Sequence, residues 1–258
     1  MKVVILCGGK GTRLGEVTGN LIPKPMVEIN GKPVIWHLMK SYADAGFDDF
    51  ILCAGHRSFA IKQYFLDYQA RNSDIQLNTS SGTTHYLEGD CENWNVTIAD
   101  TGEETQTAGR LIRIAKYLDD DDFFLTYGDG LSDIDLIALK KFHADHGKEI
   151  TLTGVVPPGR FGEMNLDGDQ ITELREKPFQ TDRFINGGFM VMKRSFIENF
   201  CVGDTDNIML ERAPLENAAT AGQLMMFRHV GFWQCMDTMR DWELLDRLAR
   251  QNPVPWKC

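Results

Sequence analysis

Two spacings of apolar residues alternate along the chain. Continuous apolar runs occur at Lys2-Val3-Val4-Ile5-Leu6-Cys7, Phe50-Ile51-Leu52-Cys53-Ala54, Val96-Thr97-Ile98-Ala99 and Phe123-Phe124-Leu125-Thr126-Tyr127. Runs this short, closed off by glycine or polar residues, predict strands buried on both faces. Between them the spacing becomes helical. Pro33 opens a helix at its favoured first position, Ile35, Leu38, Met39 and Tyr42 share one face, and Gly46 ends it. Ile61, Tyr64, Phe65 and Tyr68 mark a second helix, Leu111, Ile114, Ala115 and Leu118 a third, and Leu136, Leu139 and Phe142 a fourth capped by Asp133 or Asp135. Strands alternating with helices predict a parallel sheet with right-handed crossovers.

The second half reads as mixed. A strand over 149–156 stops at Pro157-Pro158, and Asp167-Gly168 sits between two strand-like segments as a hairpin signal. A strand over 184–192 carries Gly187-Gly188 near its start. Residues 195–222 read as helical, interrupted at Pro214, and Leu224-Met225-Met226-Phe227 reads as a strand. Thr238 caps a last helix, with Asp241 at the third position of a capping box and Met239, Trp242, Leu245 and Ala249 on one face. Residues 72–95 break the rhythm and predict an excursion with its own hairpin, a lid or an interface. The expected fold is α/β: a Rossmann-like mixed, mostly parallel sheet with helices on both faces.

Composition narrows the partners. Of 258 residues, 43% are hydrophobic and 25% charged, as in an ordinary folded protein. A net charge of −10 makes nucleic acid and anionic membrane poor partners. Local cations can still bind phosphate, because charges are screened over about 8 Å at physiological salt. The six cysteines show no C-x-x-C spacing, and several fall in apolar runs, which suggests buried free thiols in a reducing cytoplasm. No signal peptide precedes the first run, and no apolar stretch reaches the ~18 residues of a membrane span.

The candidate chemistry begins directly after the first strand. Gly8-Gly9-Lys10-Gly11-Thr12-Arg13-Leu14 combines a flexible backbone, whose N–H groups can form an anion-binding concavity, with two cations. Pro23-Lys24-Pro25-Met26 brings in a third cation on a stiff segment. Together these point to a polyphosphate. The P-loop motif fails for want of its lysine after Gly11. The dinucleotide motif fails because Leu14 stands at its third glycine position. Further on, Thr105-Gln106-Thr107-Ala108-Gly109-Arg110 opens a helix, either as a phosphate site or as a simple cap. Asp129 lies between Gly128 and Gly130 at a strand's carboxyl end, where open α/β sheets bind ligands; a plain Asp-Gly turn is the alternative. Asp237 is a second isolated acid, or part of the last helix's start. Glu176-Lys177 reads as a solvated pair. His37 reads as packing, and His143 and His146 as solvated.

The glycine loop with Pro23-Lys24-Pro25-Met26 resembles the sugar-1-phosphate nucleotidyltransferases. Lys32-Pro33-Val34-Ile35-Trp36-His37, Gly55-His56-Arg57, Trp94-Asn95-Val96, Pro157-Pro158-Gly159-Arg160-Phe161-Gly162 and Gly231-Phe232-Trp233-Gln234 resemble their glucose-1-phosphate cytidylyltransferase subgroup. The resemblance implies a single domain over 1–258, with a nucleotide half to about 130 and a sugar-phosphate half beyond. It implies CTP and glucose 1-phosphate as substrates, Mg²⁺ as cofactor, and a homo-oligomer. A thymidylyl- or uridylyltransferase is the rival activity, and a non-catalytic nucleotide-binding domain the rival class. Arg13 and Lys24 are the implied catalytic cations. Leu6, Gly8, Gly9, Lys10, Gly11, Thr12, Thr105, Thr107, Gly109, Arg110 and Gly128 would hold the nucleotide. Glu176, Lys177, Asn186 and Gly187 would hold the sugar phosphate, and Asp129 and Asp237 the metal. Gly15, the stretch 17–22 and Ala108 depart from the family's pattern, and residues 203–220 match it poorly.

Overall fold

The computed structural model describes residues 1–11, 22–119, 121–157, 163–175 and 184–256. In chain order the first half contains β1 (Val3–Leu6), a 3₁₀ turn (Lys24–Met26), β2 (Glu28–Ile29), β3 (Lys32–Pro33), α1 (Val34–Asp44), β4 (Asp49–Ala54), α2 (Ser58–Leu66), α3 (Tyr68–Asn72), β5 (Ser73–Leu77), β6 (Thr84–Gly89), β7 (Asn95–Asp100), α4 (Thr107–Ile114) and β8 (Phe123–Tyr127). Then come β9 (Gly130–Ser132), α5 (Leu136–His146), β10 (Ile150–Val155), β11 (Glu163–Asp167), β12 (Gln170–Arg175), β13 (Ile185–Asn186), β14 (Met190–Met192), α6 (Arg194–Phe200), α7 (Ala213–Thr220), β15 (Leu224–His229), β16 (Trp233–Cys235) and α8 (Met239–Leu248).

The parallel block runs β8–β1–β4–β7, with β1 central between Phe124 and Phe50 at its first pairs. Its continuous apolar runs face two cores. Val3 and Ile5 join Leu38, Tyr42, Phe50 and Phe124 on one face, while Val4 and Leu6 join Ile51, Leu111, Phe123 and Leu125 on the other. A strand without polar alternation requires helices on both sides, and α1 and α4 supply them from opposite faces. Ile35, Leu38, Met39 and Tyr42 are all fully buried, as the spacing predicted.

Beyond β8 the direction reverses. β14 pairs antiparallel with β8, β10 pairs antiparallel with β14 and β13, and β15 closes that side parallel to β10. The predicted strand over 184–192 is therefore two strands. They are separated at Gly187, Gly188 and Phe189, the last two of which hold positive φ of 75° and 42°. The hairpin about Asp167-Gly168 forms as β11 and β12. So does the excursion's hairpin, β5 and β6, whose residues are nearly all exposed.

Two expectations need correction. Pro214 begins a helix: it occupies the first turn of α7, where its missing N–H costs nothing, and 201–212 is not helical. His143 is not solvated. It is buried, its Nδ1 lies 2.8 Å from the Thr151 hydroxyl, and the His146 ring packs against it. His37 is packed as expected, with Nε2 3.1 Å from the Ile29 carbonyl and its ring against Trp36 and Trp256. The Thr238–Asp241 capping box is present, and Asp135, not Asp133, caps α5. The described cysteines are free thiols, with Cys7, Cys53 and Cys201 buried. Among the described residues no helix is long and apolar enough to cross a membrane.

Candidate active site

The carboxyl ends of β1 and β8 open into a cleft of about 470 Å³. The first glycine loop, the 105–110 loop, the Gly187 break and β16 supply its walls. Parallel strands leave their last carbonyl and the following amides at this end, so loops there meet a ligand first.

Lys24, Asp129 and Asp237 meet in the cleft. Lys24 stands on the 3₁₀ turn, held between Pro23 and Pro25. Its Nζ donates to Asp129 Oδ2 and to Asp237 Oδ1, each at 2.5 Å. Two very short strands bring the aspartates together. β9 pairs antiparallel with β16, matching Gly130 to Cys235, and the Met236 amide donates to the Asp129 carbonyl at 2.9 Å. Each aspartate thus sits one or two residues outside a shared ladder. Burial acts to lower the pKa of Lys24, but the two carboxylates outweigh it and hold the ammonium above its ordinary value. Both carboxylates aim at the Lys24 ammonium, and both are hard oxygen donors. Mg²⁺ is commonly held by one or two carboxylates together with substrate phosphates and waters, so the donor set fits that ion.

The glycine loop fits tightly around its neighbours. A Cβ at Gly8 would lie 2.1 Å from Arg110 Nη1, and one at Gly11, where φ is 59°, would lie 2.9 Å from Lys24 Cβ. Gly9 has open space beside it and lines the cleft, as do Leu6 and Gly128. Lys10 turns to the rim, where it pairs with Glu104 at 2.6 Å.

Arg110 lines the cleft and is also bound into its wall. The residue is 4% exposed, and its guanidinium donates to Gly8 O (2.9 Å), Gly102 O (2.9 Å), Thr101 Oγ1 (2.7 Å) and Ala54 O (3.3 Å). It ties together the segments leaving β1, β4 and β7. The start of α4 is likewise engaged. The amides of Gln106 and Ala108 donate to the carbonyls of Asp206 and Ile208, at 3.0 and 3.2 Å. Those two donors are therefore spent on protein. A Cβ at Gly109 would lie 1.7 Å from the Thr205 carbonyl, so this glycine is a packing contact outside the cleft. Thr105 and Thr107 do line the cleft. Their hydroxyls donate to Asp206 Oδ1 (2.9 Å) and Glu211 Oε2 (2.7 Å).

On the other wall, Asn186 and Gly187 line the cleft. Trp233 Nε1 donates to the Gly187 carbonyl at 2.8 Å, and Val155 leaves no room for a side chain at Gly187. Thr12, Arg13, Glu176 and Lys177 lie outside the described residues. The sequence offered no signal for Glu211, Asp206 or Tyr127. All three act across long separations, and 203–212 has neither period nor motif.

The model of the Nucleotidyl transferase family matches residues 2–212. The chain is 46% identical to a glucose-1-phosphate cytidylyltransferase of Salmonella typhi over 258 residues, covering 100% of this chain and 99% of that protein. It is 40% identical over 257 residues to a Bacillus subtilis protein described as a probable glucose-1-phosphate cytidylyltransferase, covering 100% and 99%. Among solved structures, HddC from Yersinia pseudotuberculosis superposes with a TM-score of 0.68 at 25% identity, over 95% of this chain and 98% of that one.

Proposed function

Because the chain belongs to the nucleotidyl transferase family, we propose that it is a glucose-1-phosphate cytidylyltransferase, converting CTP and α-D-glucose 1-phosphate to CDP-glucose and pyrophosphate. The observation that supports this best is the meeting of Lys24, Asp129 and Asp237 in the glycine-loop cleft, in a chain that matches its Salmonella relative end to end.

A phosphate oxygen of the sugar phosphate attacks the α-phosphorus of CTP in line. The new P–O bond forms as the bond to the β-phosphate bridge breaks, and the electron pair leaves with pyrophosphate. A sugar phosphate is ionised near neutral pH, so no general base is required. The protein's work is to hold two anions that repel each other and to meet the charge that grows on the leaving group. Lys24 is the chain's own cation at the reacting end, held in place by two carboxylates. Asp129 and Asp237 would hold Mg²⁺, which would supply positive charge against the phosphates. The glycine loop receives the nucleotide, and Arg13 is the cation assigned to the triphosphate by the family resemblance. Asn186 and Gly187, with Glu176 and Lys177, receive the sugar phosphate in the half beyond about residue 130. Loss of Lys177 then raises mainly the KM for sugar phosphate, and loss of Lys24 lowers mainly kcat.

The test is a panel of CTP, UTP, dTTP, ATP and GTP with glucose 1-phosphate, read as pyrophosphate release. CTP is expected to exceed UTP and dTTP by at least ~10-fold in kcat/KM, about 1.4 kcal/mol. Equal or better use of dTTP or UTP refutes the assignment.

A further inference from the structure

Glu211 lies in the 203–220 stretch, which matches the family's motifs poorly, yet its carboxylate joins two residues of the cleft wall. Thr107 Oγ1 donates to its Oε2 at 2.7 Å, and the Tyr127 hydroxyl donates to its Oε1 at 2.7 Å. Both hydroxyls belong to cleft-lining residues. One is on the loop opening α4 and the other at the end of β8, so a single carboxylate bridges two walls.

Donor and acceptor counting gives this bridge a consequence. A carboxylate only accepts, so both hydroxyl protons are committed to it. Thr107 Oγ1 also accepts from the Leu210 amide at 2.8 Å, which leaves it one further lone pair. The Tyr127 oxygen is met by Asn186 Nδ2 at 3.4 Å. That amide group is itself oriented, because its Oδ1 accepts from the Gly188 amide at 2.9 Å. Burial first, and then the neighbouring charge of Glu211, push the Tyr127 phenol well above its ordinary pKa, so it keeps its proton. Neither hydroxyl has a proton left for a ligand. Both offer lone pairs only.

We infer that Glu211 is a specificity-determining residue that fixes the hydrogen-bond polarity of this wall, so that it accepts from an amino group and rejects a carbonyl oxygen. The inference rests on the proposed activity and explains one part of it. Thr107 stands on the loop that Arg110 ties to Gly8, on the nucleotide side of the cleft. With the base seated against this wall, cytosine would present an exocyclic amine to it, whereas uracil and thymine would present an oxygen. A carbonyl oxygen against two committed acceptors finds no proton and loses its water, which is the costly side of polar discrimination.

Glu211→Gln tests this. The amide keeps the shape but donates from one side, so one of the two hydroxyls becomes free to donate into the cleft. The ratio of kcat/KM for CTP over UTP is expected to fall at least ~10-fold. The KM for glucose 1-phosphate and the thermal midpoint should stay near wild type. Thr107→Val, which removes one hydroxyl and keeps the side chain's shape, is expected to erode the same ratio and guards against misfolding of the first variant. Equal loss for both nucleotides, with the ratio unchanged, overturns the inference and makes Glu211 a structural brace. A preserved ratio with a raised sugar-phosphate KM overturns it too, since the wall then reads the sugar. A wild-type enzyme that does not prefer CTP overturns the proposed activity and this inference together. Wild-type preference kept intact in Glu211→Gln overturns this inference alone.

Discussion

Replacing Arg110 with lysine separates structural from direct ligand roles at this site. The guanidinium reaches Gly8 O from one nitrogen and Gly102 O, Thr101 Oγ1 and Ala54 O from the other. A lysine carries one nitrogen and cannot span both sides of that fork. Some of the loss is cushioned. Ala54 O keeps the Thr101 amide and hydroxyl at 2.8 and 2.6 Å, and Gly8 O keeps the His56 amide at 3.1 Å. One charge-assisted hydrogen bond is therefore lost outright, which is about 1.5–3 kcal/mol. We expect Arg110→Lys to lose about 2 kcal/mol in urea unfolding with an unchanged slope, and its thermal midpoint to fall by roughly 4–8 °C. Arg110→Ala should lose about twice as much, because it also empties the buried space. Hydrogen exchange at the His56 amide should quicken in both, since its acceptor is the carbonyl that Arg110 steadies. If Arg110→Lys stays within about 0.5 kcal/mol of wild type with unaltered His56 protection, the tie between the three strand ends is not what holds this loop.

Three other outcomes follow from the geometry. Asp129→Asn and Asp237→Asn should each cut turnover by at least ~10² while circular dichroism stays native, because each removes a carboxylate from the proposed cation site; near-normal turnover removes that residue from it. His143 should make stability pH-dependent. Burial, and then the charges of His146 and Lys193, bring its folded pKa down to about 4, below an unfolded value near 6.5. The unfolded chain takes up the proton first, so the stability from His143 is complete above about pH 6.5 and is lost as pH falls toward 4. Urea midpoints of wild type and His143→Gln should therefore converge as pH is lowered through that window, and a constant difference would refute the assignment. Gly109→Ala places a carbon against the Thr205 carbonyl and should lose about 1–3 kcal/mol by overpacking; an unchanged melting temperature would show that the 203–210 segment moves aside freely.

The fold was legible wherever a run of residues met one environment. β1, β4 and β8 are apolar along their length because helices cover both faces, and α1 shows its buried face at the spacing of Ile35, Leu38 and Tyr42. Residues read through neighbours on the chain came out less well. His143 and His146 look solvated on a helix's last turns, but β10 approaches with Thr151 and buries the first. Pro214 looks like a break inside a helix because the chain alone does not show that the helix starts there. At the site, Gly8, Gly9, Gly11, Lys24 and Asp129 were legible through glycine and proline placement, and Asp237 through resemblance. Their meeting was not legible, since it depends on β9 and β16, each too short to leave a periodic signal. Glu211 and Asp206 left none at all. Each is a single polar residue in an aperiodic stretch, and its partner lies 104 or 101 residues away.

The triad at the centre of the cleft also sets a schedule. Lys24 and Asp129 are 105 residues apart, and Lys24 and Asp237 are 213 apart. A ribosome adding ~5–20 residues per second delivers the second aspartate roughly 10–40 s after the lysine. Through that interval the parallel strands can already assemble around β1, but the Lys24–Asp129–Asp237 cluster is only half built. A chain released before β16 is made would carry the glycine loop and most of the sheet, yet hold Lys24 with one carboxylate instead of two. The nascent protein therefore gains the second carboxylate partner of Lys24 only once β16 and the residues just beyond it have been made.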